Sequence, residues 1–254
     1  MKFERIADIK RLGFIVDNLS KQLPEGAEVL DVGCGNGIIS RSLGEKGFRV
    51  KGIDVSEKAI EKAISLNSNP YVSFEVKSAE QLAADGHLFH AIICSEVLEH
   101  LNEPEKLLKV LHLILEPSGV LIVTVPNGAG PREVFVTKPI IKMQKKNNWI
   151  WKGVQGIKKV LGYSGTTVQS DAEDLTHIQF FTKRSLERLA AQSNFKIVKF
   201  GKTNFIEDVF PFSILTKRVK ALQKIDCAIA EKLPLRFNGG FVTVWEKSIQ
   251  SNDH

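Results

Sequence analysis

Two hydrophobic rhythms alternate along the chain. Short apolar runs lie at 29–32, 50–53, 72–76, 91–94 and 120–125. Between them, residues 38–46, 57–66 and 104–115 repeat their apolar positions every three or four residues, the helical period. Near-continuous apolar runs separated by helices of this length predict βαβ units, hence a mostly parallel sheet covered on both faces. An amphipathic stretch at 6–23 comes first, with Ile9, Leu12, Ile15, Val16 and Leu19 at helical spacing, and Pro24-Glu25-Gly26 ends it. After Pro126 the rhythm stops for about fifty residues. It resumes as a helix at 182–193 capped by Thr182, a strand at 196–200, a helix at 217–233 and a last strand at 241–245.

The 254 residues suffice for one substantial domain. Four parts are expected within it: an N-terminal helical segment (1–24), a core (25–127), an insertion or lid (128–180) and C-terminal helices with the last two strands (181–254). No apolar run approaches the roughly 20 residues that cross a bilayer, and the first residues carry mixed charge where a signal core would be apolar. Cys34, Cys94 and Cys227 are too scattered for a disulfide framework or a zinc pair. These features predict a cytoplasmic protein. The net charge of +6 is concentrated: residues 132–161 hold eight Lys or Arg against Glu133 alone, +7, so the remainder nets −1.

The first predicted strand runs into Asp31-Val32-Gly33-Cys34-Gly35-Asn36-Gly37. A glycine-rich turn between strand and helix lets backbone approach a ligand and aims free amides at it. Asp54 ends the second strand, where a carboxylate can accept both hydroxyls of a ribose. The spacing is GxGxG followed by Ile38, so the sixth-position glycine of a dinucleotide turn is missing, which disfavours an NAD-dependent oxidoreductase. No Gly-Lys-Ser/Thr comes after it, which excludes a P-loop.

The turn at 29–37 resembles motif I of the class I S-adenosylmethionine-dependent methyltransferases, and Gly52-Ile53-Asp54-Val55-Ser56 is similar to their acidic loop. Residues 92–101 and 115–121 resemble two further motifs of that family. The resemblance implies a Rossmann-like α/β fold with a seven-stranded sheet ordered 3-2-1-4-5-7-6, its last strand antiparallel. It implies S-adenosylmethionine as cofactor, held by Asp31, Gly33, Cys34, Gly35, Asn36, Gly37, Asp54, Val55, Ser78, Ala79, Glu80 and Ser95. Arg11 resembles an arginine placed near the cofactor carboxylate in ubiquinone-type members, although a surface salt bridge is an equal reading of it.

The residues just beyond the fourth strand bear on the acceptor. Adenine- and glutamine-directed members carry Asn/Asp-Pro-Pro-aromatic there, but this chain has Cys94-Ser95-Glu96-Val97. On a helix, Glu96, Glu99 and His100 would share one face. Ubiquinone-type O-methyltransferases have a similar Glu-x-x-Glu-His stretch and a later histidine, matched here by His177. The resemblance implies catalytic roles for His100 and His177. It also offers a Mg²⁺ site made of Glu96, Glu99, His100 and His177, with the alternative that His100 acts as a base or orients a loop without metal.

Lysines 138, 142, 145, 146, 152, 158 and 159 flank an apolar stripe at 140–161, with Trp149 and Trp151 in its middle. A lid helix, an amphipathic helix touching an anionic membrane and a nucleic-acid contact are all open readings of 132–161. The C-terminal part looks more like a broader set of bacterial methyltransferases than like ubiquinone-type enzymes. The expected function is O-methylation of a small or lipid-like hydroxylated metabolite. Its alternatives are an RNA 2′-O-methyltransferase and a non-catalytic S-adenosylmethionine-binding subunit.

Overall fold

The computed structural model describes residue 3 and residues 5–137, 178–207, 209, 212–216 and 219–248. The insertion reading at 138–161, with its lysines and tryptophans, therefore lies outside the described residues, as does His177. The described residues form seven strands: β1 (Glu28–Val32), β2 (Arg49–Asp54), β3 (Val72–Val76), β4 (Phe89–Ser95), β5 (Leu115–Pro126), β6 (Phe195–Lys202) and β7 (Gly240–Lys247). Described helices are α1 (Ile6–Gln22), α2 (Ile38–Gly44), α3 (Glu57–Ser65), α4 (Ala79–Ala83), α5 (Pro104–Ile114), α6 (Lys183–Gln192), α7 (Phe212–Thr216) and α8 (Lys220–Lys232).

The strands form one sheet in the order β3-β2-β1-β4-β5-β7-β6. β1 to β5 are parallel, and β7 runs antiparallel between β5 and β6. The chain winds outward from β1 to β3, then crosses back to β4 on the other side of β1. That reversal leaves a crevice at the carboxyl ends of β1 and β4.

Strand alternation divides the core into two layers. Val29, Val50, Ile93, Ile122 and Val244 face Ile15 and Leu19 of α1 and Ile39 and Leu43 of α2. Leu30, Ile53, Ile92, Leu121 and Trp245 face Leu108 and Leu111 of α5 and Leu186 and Leu189 of α6. Polar residues start the helices where the sequence places them. Ser56 accepts from the Ala59 amide, Ser78 from Gln81, and Thr182 from Ser185. Two helices were not predicted, α4 and α7, each only five residues long.

The base of the insertion is closed. Asn127 bridges Phe181, and the Gly128 amide donates to the Phe181 carbonyl at 2.7 Å. The Ile178 and Gln179 amides both donate to the Glu99 carbonyl, at 2.8 and 2.9 Å. The chain thus leaves and rejoins the sheet at the carboxyl end of β5, beside the segment after β4.

β1 is locked to α2 by a carboxyl group. The Ser40 hydroxyl donates to Asp31 Oδ2 at 2.5 Å, while Asp31 Oδ1 is buried with no hydrogen-bond partner among the described residues. Burial, and to a lesser degree the charge of Asp54, raise Asp31 to about 7, against the opposing hydrogen bond from Ser40. Because the folded value is the raised one, this contribution to stability is full below the unfolded value near 4 and is lost as pH rises through about 7. Asp31→Asn removes that loss. Denaturant melts of the ligand-free protein at pH 5 and 7.5 are expected to show the variant gaining on wild type by a few kcal/mol at the higher pH. An equal difference at both pH values would refute the assignment.

Candidate active site

The turn after β1 is built by three glycines in the left-handed region: Gly33, Gly35 and Gly37, with φ of 66°, 54° and 71°. Side chains there would also collide with neighbours. A Cβ at position 33 would strike Val97, and one at 37 would strike the Phe74 ring. The Arg41 guanidinium donates to the Asn36 carbonyl at 2.6 Å and the Gly37 amide to the Cys34 carbonyl at 2.9 Å, so the loop is held from inside. Burial pushes the Cys34 thiol far up, which leaves it a packing residue and not a nucleophile.

Across the crevice, Asp54 reaches back onto this turn. Its Oδ2 accepts from the Gly35 amide at 3.0 Å and its Oδ1 from the Ser56 amide at 2.9 Å. A carboxylate offers about four accepting positions, so one remains open on each oxygen. Val55 next to it is 77% exposed, an apolar surface at the mouth of the crevice. Ser78 is partly occupied as the cap of α4, with Ala79 buried and Glu80 exposed. The structure thus gathers the turn, Asp54, Val55 and the 78–80 segment at the carboxyl ends of β1, β2 and β3.

At the end of β4 the expected helix is absent. Glu96 takes a left-handed φ of 59°, and only a single 3₁₀ turn, Leu98–His100, comes after it. Glu96 therefore separates from Glu99 and His100. Glu96 points to α1 and β5: its Oε1 accepts from the Thr124 hydroxyl at 2.9 Å and lies 3.3 Å from Arg11. Glu99 turns inward, only 1% exposed, and neither carboxyl oxygen accepts a hydrogen bond among the described residues. Burial first, then the charge of Glu96, pushes Glu99 well above the usual carboxylate range. His100 is half-buried, its Nε2 3.9 Å from Glu99 Oε1. The shared helical face is thus corrected to a kink. Among the described residues, no group of three His, Cys, Asp or Glu side chains is placed to hold a metal ion.

Arg11 is held between acids, with Asp8 at 3.2 Å as well as Glu96. Ser95 is buried, its Oγ 2.9 Å from Thr124 Oγ1. Thr124 has one proton and gives it to Glu96, so Ser95 is the donor in that pair and the order Ser95, Thr124, Glu96 is fixed. Thr124 and Asp8 escaped the sequence reading. A threonine within an apolar run resembles any β-branched strand residue, and Thr124 matters only because β4 and β5 pair in register there.

A family model described as a methyltransferase domain matches residues 5–199. A ubiquinone biosynthesis O-methyltransferase of Xanthomonas axonopodis pv. citri (strain 306) is 38% identical over 107 residues, which cover 41% of this chain and 45% of that protein. The Neisseria meningitidis protein of the same name is 31% identical over 136 residues, covering 50% and 57%. This chain therefore spans about half the length of the curated relatives it matches. Among solved structures, magnesium protoporphyrin IX methyltransferase of Synechocystis PCC 6803 with bound SAH is similar with TM-score 0.55 and 18% identity, over 96% of this chain and 84% of that one. The Burkholderia thailandensis 1,6-didemethyltoxoflavin-N1-methyltransferase is similar with TM-score 0.57 and 16% identity, over 97% and 80%. The sheet order, the left-handed glycine turn facing Asp54 and a family match across most of the chain lead to one conclusion: this chain belongs to the methyltransferase domain family.

Proposed function

We propose that this protein is an S-adenosylmethionine-dependent methyltransferase that O-methylates a small or lipid-like hydroxylated metabolite. The observation that carries the cofactor is Asp54, anchored by the Gly35 amide yet with accepting capacity left on both oxygens, as a ribose diol requires. Asp31 Oδ1, buried behind the same turn without a partner among the described residues, suits a cationic donor. Gly33 to Gly37 would line the cofactor, Val55 and residues 78–80 would border its base, and Ser95 would lie beneath it. Arg11, already between two acids, would be free to meet a carboxylate only by leaving one of them.

The cofactor supplies a methyl group already activated on sulfonium. What this chain adds is placement of the acceptor and removal of its proton. We assign the proton to His100, half-buried beside Glu99 at the end of β4, with His177 as a second candidate. Ile178, the residue after His177, donates its amide to the Glu99 carbonyl. No step is assigned to Mg²⁺, because Glu96 and Glu99 diverge at the kink. The hydroxyl acceptor and its lipid-like class are supported by the names of the curated relatives. The basic segment 132–161 remains part of this reading as a peripheral membrane contact. No described helix is long and apolar enough to cross a membrane.

Titration calorimetry is expected to show S-adenosylmethionine and its demethylated product binding, with Asp54→Ala weakened about tenfold or more, the worth of a charged hydrogen bond. Wild-type affinity in Asp54→Ala would remove the cofactor assignment. For the acceptor, methyl transfer to a panel of phenolic and aliphatic alcohols is read by mass spectrometry. His100→Ala is expected to lower kcat by roughly 10²-fold or more, as for loss of a general base, while cofactor binding stays unchanged. Retained kcat in that variant would return His100 to a loop-orienting role.

A further inference from the structure

The kink at the end of β4 gives Glu96 neighbours of its own. Its Oε1 accepts from the Thr124 hydroxyl at 2.9 Å and lies 3.3 Å from Arg11. Oε2 accepts no hydrogen bond among the described residues, and the side chain is 33% exposed. A left-handed glutamate persists only where its surroundings hold it. Here the Glu96 amide donates to the Thr124 carbonyl at 3.0 Å, and the next residue, Val97, wedges against Gly33 of the glycine turn. Thr124 is fully buried and accepts from Ser95, so its one proton goes to the carboxylate. Glu96 is thus gripped by one oxygen and left open at the other.

The charges around it do not cancel. Asp8 and Glu96 share the Arg11 guanidinium, at 3.2 and 3.3 Å. Glu99 and Asp31 are close by, each 1% exposed and each with oxygen unpartnered among the described residues. Their nearness shows in the groups they act on. Burial, then the charges of Glu99 and Asp31, push the Cys94 thiol far up. Burial, then the charge of Glu96, does the same to Glu99, with Arg11 the smallest opposing influence. Even with Asp31 and Glu99 protonated, Asp8 and Glu96 leave one negative charge over against Arg11. The carboxyl ends of β1 and β4 are short of a cation.

The sheet sets the distance at which that cation is met. Asp54, the ribose ligand of the proposed cofactor, ends β2, and the strand order runs β2-β1-β4. Glu96 is therefore two strand spacings away, about 10 Å, across the glycine turn. The tail of S-adenosylmethionine leaves the ribose as a run of single bonds and ends in an ammonium and a carboxylate. An open carboxylate oxygen beside a guanidinium presents the opposite pair of signs. An acceptor hydroxyl carries no charge and would leave the excess unmet. Asp31 Oδ1 does not compete with Glu96, because an ammonium has three protons to give.

We propose, on the cofactor reading above, that Glu96 binds the ammonium group of S-adenosylmethionine through Oε2 and that Thr124 is the residue that positions it. Titration calorimetry of the full chain tests this with four probes. S-adenosylhomocysteine is compared with 5′-methylthioadenosine, which lacks the amino-acid group. S-adenosylmethionine is compared with its decarboxylated form, which keeps the ammonium and lacks the carboxylate. Glu96→Gln is expected to weaken S-adenosylhomocysteine, S-adenosylmethionine and the decarboxylated form about tenfold or more, the worth of a charged hydrogen bond. Its affinity for 5′-methylthioadenosine is expected to match wild type, which also shows that the variant is folded. Thr124→Val is expected to give the same pattern at roughly threefold or more, and Thr124→Ser, which keeps the hydroxyl, to restore wild-type binding. Unchanged S-adenosylhomocysteine affinity in Glu96→Gln overturns the proposal. So does equal weakening of 5′-methylthioadenosine, the mark of a merely structural role. A loss confined to the carboxylate-bearing probes overturns it as well, since Glu96 would then act only by holding Arg11. Wild type that binds none of the four removes the cofactor reading, and the proposal with it.

Discussion

Everything at the carboxyl end of this sheet depends on one turn that only glycine can make. Gly33, Gly35 and Gly37 alternate left-handed backbone with ordinary residues, and an L side chain in that region is strained by roughly 1–2 kcal/mol per residue. Conformation is only half of the constraint, because Val97 and Phe74 press against positions 33 and 37 from the segments after β4 and within β3. The turn is thus wedged between its neighbours. From it the Gly35 amide fixes Asp54 at the end of β2, and the other oxygen of Asp54 holds the amide of Ser56, which starts α3. One loop aligns two strands and two helices.

Strain and unmet polar groups collect around this crevice. Asp31 and Glu99 are buried carboxyls with oxygens that nothing described satisfies, and Glu96 holds a backbone conformation uncommon outside glycine. Ion pairs outside the crevice are different: Lys51 meets Glu75 at 2.9 Å, Lys77 meets Asp85 at 2.7 Å and His87 meets Glu28 at 3.0 Å. These side chains are at least partly exposed and paired, the ordinary condition of a surface. A fold keeps raised carboxyls and left-handed glutamates only where the surroundings over-determine them, and such positions concentrate at functional sites.

The strands and long helices were legible because their cause is local. Burial on both faces writes continuous apolar runs, and caps such as Ser56 and Thr182 write helix starts, so the observed bounds differ from the expected ones by a few residues. Short helices were not legible: α4 and α7 have too few turns to show a period. The 96–100 stretch misled for a different reason. Glu-Val-Leu-Glu-His has helical spacing, but Leu98 is drawn fully into the core and Val97 wedges against Gly33. A three-residue 3₁₀ turn after a left-handed Glu96 satisfies both demands, and an α-helix starting at Glu96 is not what the chain adopts. Asp54 was found from its distance to the turn, whereas its partnership with the Gly35 amide exists only across β1 and β2.

The C-terminal helix shows why an apolar stripe is not by itself evidence of a core. Burying an isoleucine or leucine is worth about 1.5–3 kcal/mol, so turning α8 by half a revolution would gain several kcal/mol from Leu222, Ile225 and Ile229. Against that stand the amides of Ile6, Phe205 and Ile206 and the Thr216 carbonyl, all partnered by Gln223 and Asp226. Each such group left buried without a partner costs about 1–3 kcal/mol, more where a charged carboxylate is involved. The two sums are comparable. The polar side wins because it also fixes α1, whose first amide is the one that Gln223 accepts and whose Arg11 reaches Glu96. The position of α1 over the crevice and the outward face of α8 are therefore two consequences of the same hydrogen bonds.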